Sequence, residues 1–282
     1  MPDKPWRPPP ERIPLMRTGD VIFFPHTPRK TLIGLNPPSL VANIRETDFC
    51  IVIFAHEELG LANVGTLVRI HKMGVGRFGP SMTVFPLGRV RLKEIRKVEF
   101  GTEEFMSSAW EKMKEVPITA ETWILEETES RRKRLAALFE EYLLKAEARL
   151  KLYKLVFGKN PYIPRGINII EKGHDILPLL ASASPSTFGA VLDKIGDIAS
   201  RGYIILNPRP RIKTMIALLN ILCLPQHLIR LDQLLVILDS LLLNLEEINV
   251  PVVNIVEYLD DRIKKMAKPD LEFPLSLLFM QN

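Results

Sequence analysis

Gly74-Val-Gly-Arg-Phe-Gly79 has the G-x-G-x-x-G spacing of a dinucleotide loop, whose chemistry is to lay backbone amides and a helix N-terminus against a pyrophosphate. Here Pro80 and the apolar run Met82–Phe85 follow in place of a helix, so the segment reads as a glycine-rich hairpin loop between two strands. Gly158-Lys159 is not preceded by the glycine pattern of a phosphate-binding loop, so ATP binding of that kind is not encoded. The histidines His26, His56, His71, His174 and His227 are scattered, with no i, i+4 pair around a glutamate, and no metal site is expected. Ser182, Ser184 and Ser186 lack the G-x-S-x-G nucleophile elbow and read as a helix-capping turn. Cys50 and Cys223 form neither a disulfide framework nor a Cys-x-x-Cys pair, which suits a reducing cytoplasm. No catalytic constellation emerges, and neither a cofactor nor an enzymatic activity is expected.

Two groups of residues could instead bind. Arg131-Arg-Lys-Arg134 is the densest basic run and could meet phosphates, but one turn of helix spreads it around the axis as a solvated face. Met73, Phe78, Pro80 and Met82 lie in or beside the hairpin tip, where apolar side chains need not be core. Pliable residues of this kind suit a surface for unfolded apolar segments; local packing is the competing account.

The elements that must position these residues fall into two halves. From Ile13 to about Val98 the apolar residues come in short clusters: Val21–Phe24, Phe49–Phe54, Gly65–Ile70, Met82–Phe85 and Arg89–Leu92. Broken by Gly and Pro, they predict strands of a small, partly closed barrel, with one short helix over Pro38–Arg45. After Pro117 the period changes. Leu135, Phe139, Tyr142, Ala146, Leu150, Tyr153 and Phe157 form a helical stripe, and shorter helical patterns follow at about 175–182, 186–200 and 211–223. A last stripe, Leu228, Leu231, Leu235, Leu238, Leu242 and Leu245, runs toward Pro251. The fold class is therefore α+β: a proline-rich extended tail over 1–12, a β domain over 13–118, and a helical domain over 119–282 that ends in a long helix.

Composition narrows the function classes. The chain has 282 residues, 46% of them hydrophobic and 25% charged, which excludes a collagen-like or wholly disordered protein. Its net charge of +5 is a modest excess of 38 basic over 33 acidic residues, so basicity alone does not argue for nucleic acid. Asn220 and Asp239 interrupt the longest apolar runs, so no membrane span is expected, and the first residues resemble neither a secretory signal nor a transit peptide. A cytoplasmic location follows as the expectation.

Several segments together resemble the N-terminal region of Lon ATP-dependent proteases. Ile13-Pro-Leu15 followed by Val21-Ile-Phe-Phe-Pro25-His26 is similar to the family's Pro-Leu opening and Val-x-x-Phe-Pro step. Gly65-Thr-Leu-Val-Arg-Ile70 resembles its Gly-Thr-x-Ala-x-Ile strand, and Leu87-Gly-Arg-Val-Arg-Leu92 its Gly-x-x-Arg-x-x-Ile strand. Phe188–Ser200, Arg230–Glu247 and Arg262-Ile-Lys-Lys-Met266 resemble the helices that follow. The resemblance covers most of 13–268 and implies a PUA-like β barrel followed by a helical bundle. In the family, that unit gathers protein substrates for ATP-dependent proteolysis and quality control, and helps hold subunits together.

The sequence departs from the family in lacking the Walker motif and the Ser-Lys protease dyad. The reading is thus of a non-catalytic protein-binding module for unfolded or misfolded proteins. Its substrate-binding residues are expected among Pro25, His26, Met73, Phe78, Pro80 and Met82, and self-association through the helical half is compatible with it. The alternatives are a PUA-like nucleic-acid-binding protein and a structural, oligomerisation or adaptor protein.

Overall fold

A computed structural model describes residues 7–18, 22–26, 30–33, 44, 46–56, 60–76, 79–100, 103–114, 125–157, 164–206, 212–224 and 227–247. The β part comprises β1 (Arg12–Thr18), β2 (Lys30–Ile33), β3 (Phe49–His56), β4 (Gly60–Leu61), β5 (Val64–Gly76), β6 (Gly79–Phe100) and β7 (Glu103–Lys112). The helical part comprises α1 (Leu125–Phe157), α2 (Pro164–Ser182), α3 (Pro185–Leu206), α4 (Ile212–Cys223) and α5 (His227–Glu247). The fold is α+β, with these strands preceding these five helices in the chain.

Phe49-Cys-Ile-Val-Ile-Phe54 is a continuous apolar run because β3 is covered on both faces. Phe49, Ile51 and Ile53 pack with Ile13, Leu15, Leu67 and Val90, while Cys50 and Val52 pack with Met16, Phe23, Val68, Met82 and Val84. The pairings run β1-β7-β6-β5-β3, and β1 returns to lie parallel to β3, with Leu15 opposite Ile51. This closes a five-stranded barrel, on which β2 pairs with β6 and β4 with β3. Closure removes the unpaired edges that an open sheet would leave.

The sequence clusters Met82–Phe85 and Arg89–Leu92 are not two strands but parts of the 22-residue β6. A strand that long serves several partners by bending at register shifts: facing Leu67/Val68 and Ile70/Lys72 of β5, and at its own Lys93/Arg96 facing β7. Glu94, within the last of these, has φ +46°. Its carbonyl accepts a hydrogen bond from Arg12 Nη1 at 2.9 Å, which ties the bend to β1.

Ile22–Phe24, read from sequence as strand, is irregular; it is a plug between the two halves of the molecule. Ile22 and Phe24 enter the apolar cluster of the helices, whereas Phe23 enters the barrel cluster. The buried Thr66 hydroxyl donates to the Phe23 carbonyl and holds the plug from the barrel side. The expected helix over Pro38–Arg45 lies mostly outside the described residues; Ile44, Glu46 and Thr47 are helical.

The helical stripes behave as their period demands. Leu135, Phe139, Tyr142 and Ala146 of α1 are buried, as are Leu231, Leu238 and Leu242 of α5. α2 begins earlier than its sequence pattern, at Pro164, and continues through Pro178. α3 starts at Pro185 beneath a polar turn in which Ser184 Oγ lies 2.9 Å from Ser186 Oγ and 3.0 Å from Thr187 Oγ1. Ser184 precedes the helix, its carbonyl accepting from the Thr187 and Phe188 amides, while Ser182 belongs to the end of α2. The largest apolar cluster spans both halves, joining Ile22, Phe24, Phe54 and Val64 to side chains of all five helices.

Candidate binding surface

The hairpin at Gly74–Gly79 is formed as a strand turn, with Gly76 opposite Gly79 and Val75 opposite Pro80. Arg77 and Phe78 fall outside the described residues, and of Pro80 only the backbone is described. Met73 and Met82 are direct cross-strand partners. Met82 is buried among Met16, Phe23, Ile44 and Val84, and Met73 packs half-buried against that cluster. Of this pair, then, Met73 alone offers surface to a ligand.

Pro25 and His26 lie elsewhere. Pro25 is buried, and His26, with φ +56°, is exposed at the end of the plug, its Nε2 4.0 Å from Asp193 Oδ2. The six sequence candidates therefore divide between the barrel hairpin and the junction with the helices.

On β6 the side chains of Met82 and Val84 point inward, so alternation turns Phe85 and Leu87 outward, each 41% exposed. Arg69 stands opposite Phe85 on β5. The ring of His71, beside the register shift, meets Phe85 edge-on with centroids 5.2 Å apart. Phe85, Leu87, His71 and Arg69 thus form an apolar ribbon with a basic margin on the outer face of the hairpin. Sequence reading placed Phe85 at the end of one strand without choosing a face, and left Leu87 between two strands. The period-two signal was present, but only the burial of Met82 and Val84 orients it.

The basic run Arg131–Arg134 divides in the same way. Arg131 faces Asp232 at 3.5 Å and Lys133 pairs with Glu129 at 2.8 Å. Arg132 donates to the Ala183 carbonyl at 2.9 Å, and its guanidinium lies 4.1 Å above the Phe188 ring. Burial lowers the Arg132 pKa from its ordinary value. Much of this run is therefore engaged with the protein itself.

A second polar assembly lies where barrel and helices meet. The buried Asp193 of α3 accepts a bidentate pair from Arg89 of β6, one bond at 2.8 Å from Nη1 and one from Nη2, and a third bond from Arg230 Nη1 of α5 at 3.0 Å. Arg89 Nε also donates to the Leu222 carbonyl at 2.7 Å, near the end of α4. Here α3 and α5 approach so closely that a Cβ at Gly189 would lie 2.6 Å from the His227 ring and 2.8 Å from Arg230 Nη2. Among the described residues no group of His, Cys, Asp or Glu side chains gathers to hold a metal, and no helix is long and apolar enough to cross a membrane.

Two solved structures compare with this arrangement. The chain is similar to Lon N-terminal domains. With the N-terminal domain of the Mycobacterium avium complex Lon protease it shares 13% identity at a TM-score of 0.46, over 81% of this chain and 98% of that one. With a Lon N-terminal domain protein from Xanthomonas campestris it shares 19% identity at a TM-score of 0.32, over 62% and 99%. No protein-family model matches the chain, and no curated protein matches it.

Proposed function

We propose that this chain is a non-catalytic, Lon-N-like protein-binding module that takes up exposed apolar segments of unfolded or misfolded proteins and recruits them to ATP-dependent proteolysis. Residues 13–118 act as the β domain that presents the surface, and 119–282 as the helical domain that supports it. The observation that carries the reading is the outward ribbon of Phe85 and Leu87, flanked by His71 and Arg69. Burying such side chains yields about 25 cal/mol per Å², offset by the cost of ordering a flexible client, so binding is weak and tolerant of sequence. Methionine and phenylalanine suit a surface that must fit many partners.

The test is titration of the full chain with a reduced, alkylated, permanently unfolded polypeptide and with its folded parent, followed by fluorescence anisotropy. The unfolded form binds and the folded form does not, and the Phe85→Ser/Leu87→Ser variant loses about tenfold in affinity, or about 1.4 kcal/mol. Equal behaviour of the two polypeptides would sink the proposal.

One observation favours a second reading, association through the helical part. Ile229, Val236 and Leu243 recur every seven residues on one outer face of α5, with Val236 62% and Leu243 59% exposed. A heptad stripe of this kind suits a partner helix. Sedimentation of the full chain over a wide concentration range separates the readings, since only this one requires assembly.

A further inference from the structure

We infer that the Arg89–Asp193–Arg230 triad is a latch that sets the barrel and the helical bundle in one fixed arrangement, with the Arg89–Asp193 bond as its crossing member. This does not depend on what the hairpin surface binds.

The apolar contacts across the junction, including Phe24, Phe54 and Val64 against the helices, supply adhesion but are non-directional. A bidentate guanidinium–carboxylate pair is directional and tolerates little sliding. Asp193 and Arg230 both belong to the helical part, so their bond survives any movement of the bundle as a body. Arg89 comes from the barrel, and three of its side-chain bonds reach the helices, two to Asp193 and one to the Leu222 carbonyl.

The chain also leaves the barrel at this point. Met113, just past the end of β7, donates its amide to the Arg89 carbonyl at 3.1 Å and packs against the helical cluster. Arg89 thus holds the exit strand through its backbone and the bundle through its side chain. If the Arg89–Asp193 bond is lost, Asp193 keeps Arg230 as its partner. The junction can then open without leaving an isolated buried charge, as a latch requires.

The molecule contains its own reporter. Cys223 ends α4 next to Leu222, and its Sγ lies 3.9 Å from Asn63 Oδ1 of the barrel part. Cys50 is fully buried in the barrel core. The experiment is alkylation of the full chain by iodoacetamide at fixed pH, with labelling of each cysteine followed by mass spectrometry, for the parent, Arg89→Met and Arg230→Met. Arg89→Met is expected to label Cys223 about tenfold faster while Cys50 stays unlabelled; Arg230→Met, which leaves the crossing bond, is expected to label like the parent.

Electrostatics pull the other way: burial raises the Cys223 pKa and the nearby Arg89 charge partly offsets that rise, so removal of the charge alone would slow the thiol. Unchanged or slower labelling of Cys223 in Arg89→Met overturns the latch. Labelling of Cys50 together with Cys223, as in a variant that fails to fold, also overturns it, since the triad would then support the whole fold and not the junction. Equal acceleration in Arg230→Met would remove Arg89 from its role as the crossing member.

Discussion

The ring of Phe24 lies so close to Gly196 that a Cβ at residue 196 would come within 2.9 Å of Phe24 Cε1. Phe24 is in the plug that leaves the barrel, and Gly196 is inside α3, where a glycine is otherwise unfavourable to the helix. The missing side chain lets the plug seat against the helix.

Gly196→Ala should therefore destabilise the protein by about 1–3 kcal/mol through overpacking, despite the better helix propensity of alanine. Phe24→Ala should cost about 3–5 kcal/mol. In the double variant the smaller side chain makes room for the new methyl, so the two penalties should add to less than their sum. Urea unfolding of the four proteins measures the coupling; strict additivity would mean that the two residues do not press on each other.

Stability and binding should separate on the two faces of β6. Met82→Ala, on the inner face, should lower stability by about 2–5 kcal/mol. Phe85→Ser, on the outer face, should leave the unfolding midpoint nearly unchanged while weakening capture of an unfolded polypeptide. Denaturant curves and binding titrations on the same preparations check the pair of outcomes.

Adjacent basic residues of α1 should respond unequally. Arg132→Ala removes the stacking on Phe188 and the bond to the Ala183 carbonyl, and should cost about 1–2 kcal/mol. Lys133→Ala removes only an exposed i, i+4 pair with Glu129, and should change stability by less than about 0.5 kcal/mol. Thermal unfolding distinguishes them. If the whole run served as a solvated phosphate-binding face, the two losses would be similar.

Stability should also fall at alkaline pH. Burial raises the Cys50 thiol and the Tyr142 phenol above their ordinary values of 9.0 and 10.0. In the unfolded chain these groups release protons near those ordinary values, while in the folded chain they hold them. Their contribution is thus complete below about pH 9 and is lost progressively as pH rises toward the raised values. The melting temperature measured from pH 7 to 11 should decline above pH 9, and Tyr142→Phe should make the decline shallower above pH 10.

Much of the fold was legible because it rests on local periodicity. The run Phe49–Phe54 announced a strand, and Leu135, Phe139, Tyr142 and Ala146 announced the stripe of a long helix. β1 and β7 carried weaker patterns, and β6 was read as two strands because its bends depend on register shifts against two neighbours, β5 and β7. The hairpin at Gly74–Gly79 was legible because Pro80 and a strand follow it where a phosphate loop needs a helix.

The surface was legible only in part. The cross-strand pairing of Met73 and Met82 follows from a hairpin between them, but the burial of Met82 depends on Met16, Phe23 and Ile44, which arrive from distant segments. Phe85 and Leu87 are outward for the complementary reason: the barrel core takes the other face of β6. His26, a candidate ligand contact by sequence, stands beside Asp193 because the plug ends at the junction.

By itself, the sequence determined that strands give way to helices and which stripes of those helices face inward, because periods of two and near 3.6 residues are set by backbone geometry alone. Only the tertiary structure decided which apolar strand residues remained on the outside, because exposure depends on what another part of the chain lays over each face. It alone also joined Arg89 to Asp193, 104 residues apart. A buried charge needs a partner, and no local pattern can say which element will bring it.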